Sequence, residues 1–178
     1  IIGILNSDDE FFDNNIVSSI SKKFKNSNNL DVVIGDVVFE NKSKKIIRKY
    51  SSRKWNPNKF VWGFMPPHPS FYCRKKYFIK HGLYRTDFKI AADYELLIRF
   101  LKVNKLNYEY LPINFVKMKL GGKSTKNIRS NLIINQEIIK ACEINGLKSN
   151  YFKLYFKYFI KIFELINFKK ISIYNILA

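Results

Sequence analysis

The chain alternates short apolar runs with stretches in which apolar residues recur at every third or fourth position. Runs of β-branched and aromatic residues bounded by polar turn residues are typical of buried β-strands. This pattern predicts strands at Ile1–Leu5, Leu30–Phe39, Ser70–Arg74 and Asn107–Leu120. The second should be interrupted at Gly35 and Asp36, and the fourth should have an edge or a break at Pro112, because these residues disfavour a strand interior.

The helical spacing is clear where Ile16, Ile20 and Phe24 would share one helix face. Further helices are predicted at Lys75–His81, Ala92–Val103, Arg129–Asn145 and Tyr151–Phe168. Gly82 suits the position that closes a helix, and the basic segment Asn41–Tyr50 is interpreted as a solvent-exposed hairpin. Strands and helices are interleaved, so the predicted fold class is α/β, with a mixed sheet flanked by helices.

Composition narrows the class of protein. Of the 178 residues 47% are hydrophobic, with 16 Phe and 11 Tyr, which is far too apolar for a disordered chain. The apolar runs are much shorter than the roughly 20 residues that span a bilayer, so no transmembrane helix is expected. Lys and Arg outnumber Asp and Glu by 32 to 14, giving a net charge of +18 that suits an anionic partner.

The cysteines and the first residues indicate the setting. The chain has two cysteines, and neither lies in a metal-ligand spacing, so a disulfide framework or a zinc site is not expected. A reducing, cytoplasmic compartment fits best. The chain begins inside an apolar run without an initiator methionine or a secretory signal, so we expect that further sequence precedes Ile1.

Two acidic residues, Asp8 and Asp9, directly follow the first predicted strand. Ligands of α/β sheets bind beyond the carboxyl ends of strands, and two carboxylates there could hold a divalent cation together with a phosphate. Aspartate is also a common turn residue. The residues alone leave both interpretations open.

Asp93 and His68 are the other candidates for chemistry. Asp93 lies at the start of a predicted helix, where its carboxylate could cap the helix or face a cleft. Its small neighbours Ala91 and Ala92 allow a close-packed approach that is unusual for an exposed cap. His68 stands between two prolines and is either structural or catalytic.

A glycine-rich loop contains Lys123 and Ser124 in the string GGKS. Its backbone N–H groups and the lysine ammonium could bind a phosphate. The loop lacks the spacing of a P-loop, so by itself it is a weak indication.

Five sequence segments, taken in their order along the chain, indicate a family: LNSDD, DVVIGDV, PPHPSFYCRKKYFIKHGLY, FKIAADYELLIRFL and GGKS. In this order the chain resembles the second half of a family 2 glycosyltransferase of the GT-A fold. The resemblance covers Ile2–Ser124, and its most specific part runs from His68 through Gly82 to Asp93 and Arg99.

The resemblance implies an inverting transfer of a sugar from a nucleotide-sugar donor to a hydroxyl of a glycan or lipid-linked acceptor. Such enzymes build cell-surface polysaccharides and use Mg²⁺ or Mn²⁺. The implied site residues are Asp93 as catalytic base; Asp8 and Asp9 as metal ligands; Asn6, Lys123 and Ser124 as donor or pyrophosphate contacts; and His68 and Trp62 as acceptor contacts or structural residues.

The chain departs from the family pattern in three ways. The family's Asp-x-Asp motif is here Asn6-Ser7-Asp8, so metal binding would depend mainly on Asp8, because an amide is a weaker ligand than a carboxylate. The Glu that usually precedes the base is Ala92, a variant familiar in the polysaccharide-building branch. The family's nucleotide-binding half does not precede Ile1, so residues 1–125 are expected to be the metal and acceptor part, followed by a helical extension over residues 126–178.

The C-terminal segment has its own pattern, since Lys153, Lys157 and Lys161 fall in one stripe of a helix otherwise rich in aromatic residues. Such a helix either packs on a protein or lies on an anionic membrane surface. The resemblance to enzymes with lipid-linked acceptors favours the membrane surface. We therefore expect a cytoplasmic protein that is peripheral at the inner face of the membrane.

Two other functions stay open. The chain could be a non-catalytic remnant of such a transferase. Its positive charge could also serve nucleic-acid binding, but no RNP motif, KH loop, zinc finger or basic recognition helix is visible, so nucleic acid is not the expected partner.

Overall fold

The computed structural model describes residues 1–119 and 128–156. Its strands are β1 (Glu10–Phe11), β2 (Val32–Glu40), β3 (Ile46–Tyr50), β4 (Phe71–Cys73) and β5 (Tyr108–Lys119). Its helices are α1 (Ile16–Asn26), α2 (Lys75–His81), α3 (Ala92–Ile98) and α4 (Ile128–Ile144), with short 3₁₀ helices at Pro57–Trp62 and His68–Ser70. Residues 151–156 are also helical.

The strands form one mixed, open sheet. β2 pairs in parallel with β5 and antiparallel with β3 and β4, and β1 pairs antiparallel with the other edge of β5. The parallel register runs from Val32 opposite Tyr108 to Glu40 opposite Lys119. The predicted α/β class with a mixed sheet is therefore confirmed, and the carboxyl ends of β2 and β5 lie at the same edge of the sheet.

Helices cover both faces of the sheet, because alternate residues of a strand point to opposite sides. On one face α1 packs its apolar side, including Ile16 and Ile20, against Val33 and Val37 of β2. On the other face Val32 and Ile34 share a core with residues of α3 and α4. In this second core α4 contributes Ile138, Ala141 and Cys142.

The predicted strand Ile1–Leu5 is wrong except at one residue. The N–H of Ile2 donates to the carbonyl of Cys73 at 2.7 Å, and the N–H of Cys73 donates to the carbonyl of Ile2 at 2.9 Å. This segment therefore forms an isolated bridge to β4 instead of a strand.

The predicted interruption at Gly35 is also wrong, because β2 runs through it. The ring of Phe115 lies against the backbone there, so that a Cβ on Gly35 would come within 2.3 Å of a ring carbon. The irregularity appears as a shift of the β2–β5 register between Ile34 and Val37. Pro112 lies opposite this shift, so its predicted break is a local bulge within β5.

The other elements follow the prediction closely. The segment Asn41–Tyr50 supplies only the turn and the second strand, β3, of a hairpin whose first strand is β2, so the hairpin begins earlier in the chain than predicted. α1 and α2 occupy their predicted positions. Gly82 ends α2 with a φ of 91°, which lies in the region that favours glycine. The strand predicted from Ser70 starts at Phe71, because His68–Ser70 form a 3₁₀ helix.

The helix predicted at Ala92–Val103 changes character at Arg99. It is an α-helix to Ile98 and a π-helical turn from Arg99 to Val103. The Arg99 guanidinium donates to both carboxylate oxygens of Glu95, at 3.0 and 2.9 Å, and to backbone carbonyls at the end of α2. The bonds from Arg99 to these carbonyls join α3 to α2, while the ion pair holds the guanidinium against the fully buried Glu95.

Two predicted segments lie where the structure gives no description. The GGKS loop and the helix beyond Phe156 lie outside the described residues. Within residues 1–119 and 128–156 no helix combines the length and apolarity needed to cross a membrane.

Candidate functional site

Asp93 lies in the first turn of α3, but it is not the residue that caps this helix. The N-cap position is Ala91, whose side chain makes no capping hydrogen bond. Instead the Glu137 carboxylate of α4 accepts the N–H groups of Lys89, Ile90 and Ala91 at 2.7, 2.9 and 2.8 Å. The helix start that bears Asp93 is therefore fixed by a side chain from α4.

Asp93 as a residue is partly exposed, but its carboxyl group is closely surrounded by protein. Desolvation raises its pKa, while the nearby His68 and the N–H of Tyr94, which donates to Oδ1 at 2.7 Å, act to lower it. The charge of Glu137 acts in the same direction as desolvation. The net pKa of Asp93 is raised, which makes its carboxylate a stronger base than an exposed aspartate.

His68 is the neighbour of Asp93 that the sequence left open between a structural and a catalytic role. Desolvation lowers the pKa of His68 and outweighs the opposing effect of Asp93, so the imidazole is neutral at neutral pH. Its Nε2 lies 2.9 Å from the hydroxyl of Tyr84, and the two rings pack edge to face. Burial and the charge of Asp93 raise the pKa of Tyr84 to about 12. The structure thus brings His68, Tyr84 and Asp93 together.

The second group of candidate residues forms the turn before β1. The Asn6 side-chain amide donates to Asp9 Oδ2 at 2.8 Å, and the Asp9 N–H donates to the Asn6 carbonyl at 3.1 Å. Asp9 is buried, and desolvation raises its pKa although Asn6 lowers it. Asp8 is exposed. Asp9 therefore stabilises the turn, and Asp8 presents its carboxylate to solvent.

The position of this turn suits a ligand site. The Asp9 carboxylate also accepts the backbone N–H of Lys119, the last residue of β5. The turn consequently lies at the sheet edge where β2 and β5 end, the edge at which α/β sheets bind ligands. Lys123 and Ser124, which follow β5 in the sequence, are outside the described residues.

The donor set at this turn fits a divalent cation that is shared with a phosphate. Mg²⁺ is commonly held by one or two carboxylates, with phosphate oxygens and waters completing its shell. Asp8 supplies an exposed carboxylate, whereas one oxygen of Asp9 is already engaged by Asn6. Among the described residues there is no group of three or more His, Cys, Asp or Glu that could hold a metal by itself. Asp8 is thus the residue best placed as a ligand.

Asp36 is a buried charge that sequence reasoning did not select. It accepts the hydroxyls of Ser51 and Tyr110 at 2.9 and 3.0 Å and the backbone N–H of Ser52 at 3.0 Å. The Lys49 ammonium lies 2.9 Å from Oδ2. A carboxylate inside the apolar strand VVIGDVVFE was a usable signal, because a buried charge requires partners.

Glu137 was also missed, and the sequence offers little that could have revealed it. It is one of two glutamates on α4, and its partners are backbone groups far away in the chain. Desolvation acts to raise its pKa, but the three N–H donors and Lys140 lower it overall. Only the packing of α4 against α3 identifies it.

Trp62 is 37% exposed and lies apart from the described contacts of His68 and Asp93. Its ring packs against Phe156, with 5.7 Å between ring centroids, and the Lys153 ammonium lies 5.8 Å from its centroid. It lines a cavity together with Trp55.

Comparisons with known proteins give no independent assignment. A scan of protein-family models finds none that matches the chain, and a search of curated proteins finds no similar sequence.

Proposed function

We propose that this chain supplies the base and the acceptor side of an inverting, GT-A-type glycosyltransferase. It would act on a nucleotide-sugar donor and a glycan or lipid-linked acceptor in cell-surface polysaccharide synthesis. The observation that carries the proposal is the desolvated Asp93 carboxylate, which lies beside a neutral His68 at a helix start fixed by Glu137. The order of sequence motifs from Asn6 to Ser124 supports the same reaction class.

The proposed step is a single displacement. The acceptor hydroxyl oxygen bonds to the anomeric carbon, and the bond from that carbon to the diphosphate oxygen breaks with its electron pair leaving on the diphosphate. The Asp93 carboxylate accepts the hydroxyl proton as the new bond forms. Because attack and departure occur on opposite faces, the configuration at the anomeric carbon inverts.

The surroundings of Asp93 suit a base. Its raised pKa brings its basicity closer to neutral pH, where proton acceptance is most effective. A protonated His68 would pair with the carboxylate and weaken it as a base. The lowered pKa of His68 prevents this at neutral pH, and the hydrogen bond with Tyr84 fixes the orientation of the ring.

The turn before β1 would serve the leaving group. Asp8 would hold a Mg²⁺ or Mn²⁺ ion, and such an ion supplies electrostatic stabilisation of the departing diphosphate. Asn6 orients Asp9, and this pair keeps the turn in place at the carboxyl end of β5.

The C-terminal residues are proposed to bring the protein to lipid-linked acceptors. Tyr151, Phe152 and Phe156 are exposed large hydrophobic side chains of the helical residues 151–156, and Lys153 lies among them. Aromatic and basic side chains together suit the headgroup layer of an anionic membrane. Co-sedimentation with phosphatidylglycerol vesicles, but not with phosphatidylcholine vesicles, is expected, and equal recovery with both would contradict this part of the proposal.

The central test is Asp93→Asn, measured as nucleoside diphosphate release from a panel of nucleotide sugars with a cell-envelope glycolipid extract as acceptor. The resemblance predicts a nucleotide-binding segment upstream of Ile1, so the product of the complete reading frame is assayed beside the 178-residue chain. Turnover should fall about 10²–10⁴-fold with donor KM nearly unchanged, because a base acts in the transition state.

The matched control is Glu143→Gln, which makes the same carboxylate-to-amide change at an exposed position of α4. It should keep normal turnover. An Asp93→Asn enzyme with near-normal turnover would refute the proposed base. Absence of turnover in the wild-type reading frame with every donor would instead favour the alternative of a non-catalytic remnant.

A further inference from the structure

A cavity of about 330 Å³ borders the core shared by α3 and α4, to which its lining residue Trp55 belongs and against which Phe64 packs. It lies between the end of β3 and the 3₁₀ helix Pro57–Trp62. Its lining residues are Tyr50, Ser51, Lys54, Trp55, Lys59, Trp62, Phe64 and Phe156. Five of these eight side chains are aromatic, two are cationic, and none of the eight is acidic.

The aromatic walls are held in fixed orientations. Trp55 is buried, its indole N–H donates to the carbonyl of Phe64 at 3.1 Å, and its ring packs edge to face against Phe60 and Tyr108. Trp62 instead leaves more than a third of its surface exposed at the opening. The cavity therefore offers a buried ring at one wall and an accessible ring at another.

The electrostatic character of the cavity is cationic. Lys54 is exposed at the rim, and Lys59 donates to the carbonyl of Lys54. The nearest buried acid, Asp36, lies behind Ser51 and is balanced by Lys49. An anionic group entering the cavity would thus meet two lysines and no uncompensated carboxylate from the lining.

The cavity and the Asp93 group share one segment of the chain. The hydroxyl of Tyr94, next to Asp93, donates to the carbonyl of Phe60. The hydroxyl of Tyr50, in the cavity wall, donates to the carbonyl of Met65 at 2.7 Å, three residues before His68. A ligand in the cavity would lie against the segment that also positions His68.

We propose that this cavity binds a saccharide unit that bears a phosphate or a carboxylate, and that this unit belongs to the acceptor. The apolar C–H face of a sugar ring packs on aromatic faces, its hydroxyls can bond to Ser51, and the anionic group pairs with Lys54. The volume lies at the low end of the roughly 300–1,000 Å³ of small-molecule sites, which suits one charged sugar better than a whole nucleotide sugar. The assignment to the acceptor rests on the proposed transferase function.

The two tryptophans of the chain, Trp55 and Trp62, both line the cavity, so intrinsic fluorescence reports on it directly. Glucose 1-phosphate and glucuronate are titrated separately, with glucose, inorganic phosphate and uridine monophosphate in parallel. We expect a saturable fluorescence change with at least one charged sugar and binding about tenfold weaker or more for glucose and for phosphate, because each lacks half of the recognised chemistry.

Two lysine variants test the charge. Lys54→Ala should weaken charged-sugar binding by about tenfold or more. Lys22→Ala removes the same charge from an exposed position of α1, on the other face of the sheet, and should change binding less than about twofold. Circular dichroism of both variants shows that they are folded.

Several results would overturn the inference. They are the absence of a saturable change with either charged sugar, an equal response to inorganic phosphate, tighter binding of uridine monophosphate, or equal effects of the two lysine variants. Asp93→Asn separates this inference from the transferase: it should leave binding within about twofold while turnover is lost. Turnover without charged-sugar binding would refute the cavity assignment alone. Binding without turnover in the product of the complete wild-type reading frame would refute its role for an acceptor.

Discussion

Glu137 should contribute more to stability than its partly exposed position on α4 suggests. Its carboxylate accepts three consecutive N–H groups that precede α3. A hydrogen bond to a charged group contributes about 1.5–3 kcal/mol net, so simple addition would give about 4.5–9 kcal/mol. Lys89 is exposed and its N–H can bond to water instead, whereas Ala91 is buried. We therefore expect Glu137→Ala to lower the free energy of unfolding by about 2–4 kcal/mol.

Urea unfolding at neutral pH measures this loss, provided that the slope with urea stays unchanged. Glu137→Gln keeps one carbonyl acceptor and should lose about half as much. Glu143→Gln, on the same helix and exposed, should change the free energy of unfolding by less than about 0.5 kcal/mol. A loss for Glu137→Ala no larger than that of Glu143→Gln would refute the reasoning.

The pH dependence of the free energy of unfolding gives a second check on the contribution of Glu137. The pKa of Glu137 is lowered in the folded state, so its contribution is present above its ordinary pKa of 4.5 and is lost as the pH falls through the folded value. The stability difference between wild type and Glu137→Ala should therefore narrow on acidification below 4.5. A difference that stays constant into strong acid would mean that packing, and not the charged hydrogen bonds, accounts for the loss.

Two further predictions concern the other buried titratable groups. Asp36→Ala should cost about 3 kcal/mol in urea unfolding because four donors lose their acceptor. Lys49→Ala should cost less, because Asp36 keeps its three uncharged donors; equal losses would contradict this. The pKa of Asp93 is raised in the folded state, so its contribution to stability is present below pH 3.8 and is lost as the pH rises through the folded pKa. The pKa of His68 is lowered in the folded state, so its contribution is present above pH 6.5 and is lost as the pH falls through the folded pKa. In His68→Gln the pH dependence of the free energy of unfolding that is assigned to His68 should disappear. Its persistence in the variant would show that another group titrates.

Local patterns were sufficient for elements that are determined locally. The spacing of Ile16, Ile20 and Phe24 predicted α1, and a closing glycine predicted the end of α2, because helix hydrogen bonds form between near neighbours. The continuity of β2 through Gly35 could not be predicted in the same way. The ring of Phe115, against which Gly35 packs, reaches that backbone only through the pairing of β2 with β5.

The residues of the candidate site likewise include some that local sequence patterns predicted and some that only the fold revealed. The ordered motifs of the sequence predicted Asp93, His68 and Asp8 as site residues. Tyr84 was not selected, although it lies within the same string, because a tyrosine there gives no sign of its partner until the fold brings it 2.9 Å from His68. Asp36 carried a local signal, a charge within an apolar strand, whereas its four partners became visible only in the sheet.

The resemblance that suggested Asp93 as a base ends at Ser124, before the residue that fixes its position. Glu137 holds the N-terminus of α3, and α4 buries Ala141 and Cys142 in the same core as α3. The division at residue 125, which follows from the resemblance, stays a prediction; the contacts couple α4 directly to the candidate base. If Asp93 is the base, as proposed, a Glu137 variant should perturb turnover as well as stability, since loosening residues 89–91 would displace the Asp93 carboxylate. The proposed base and the residue that positions it thus lie in segments that no one motif of the resemblance covers.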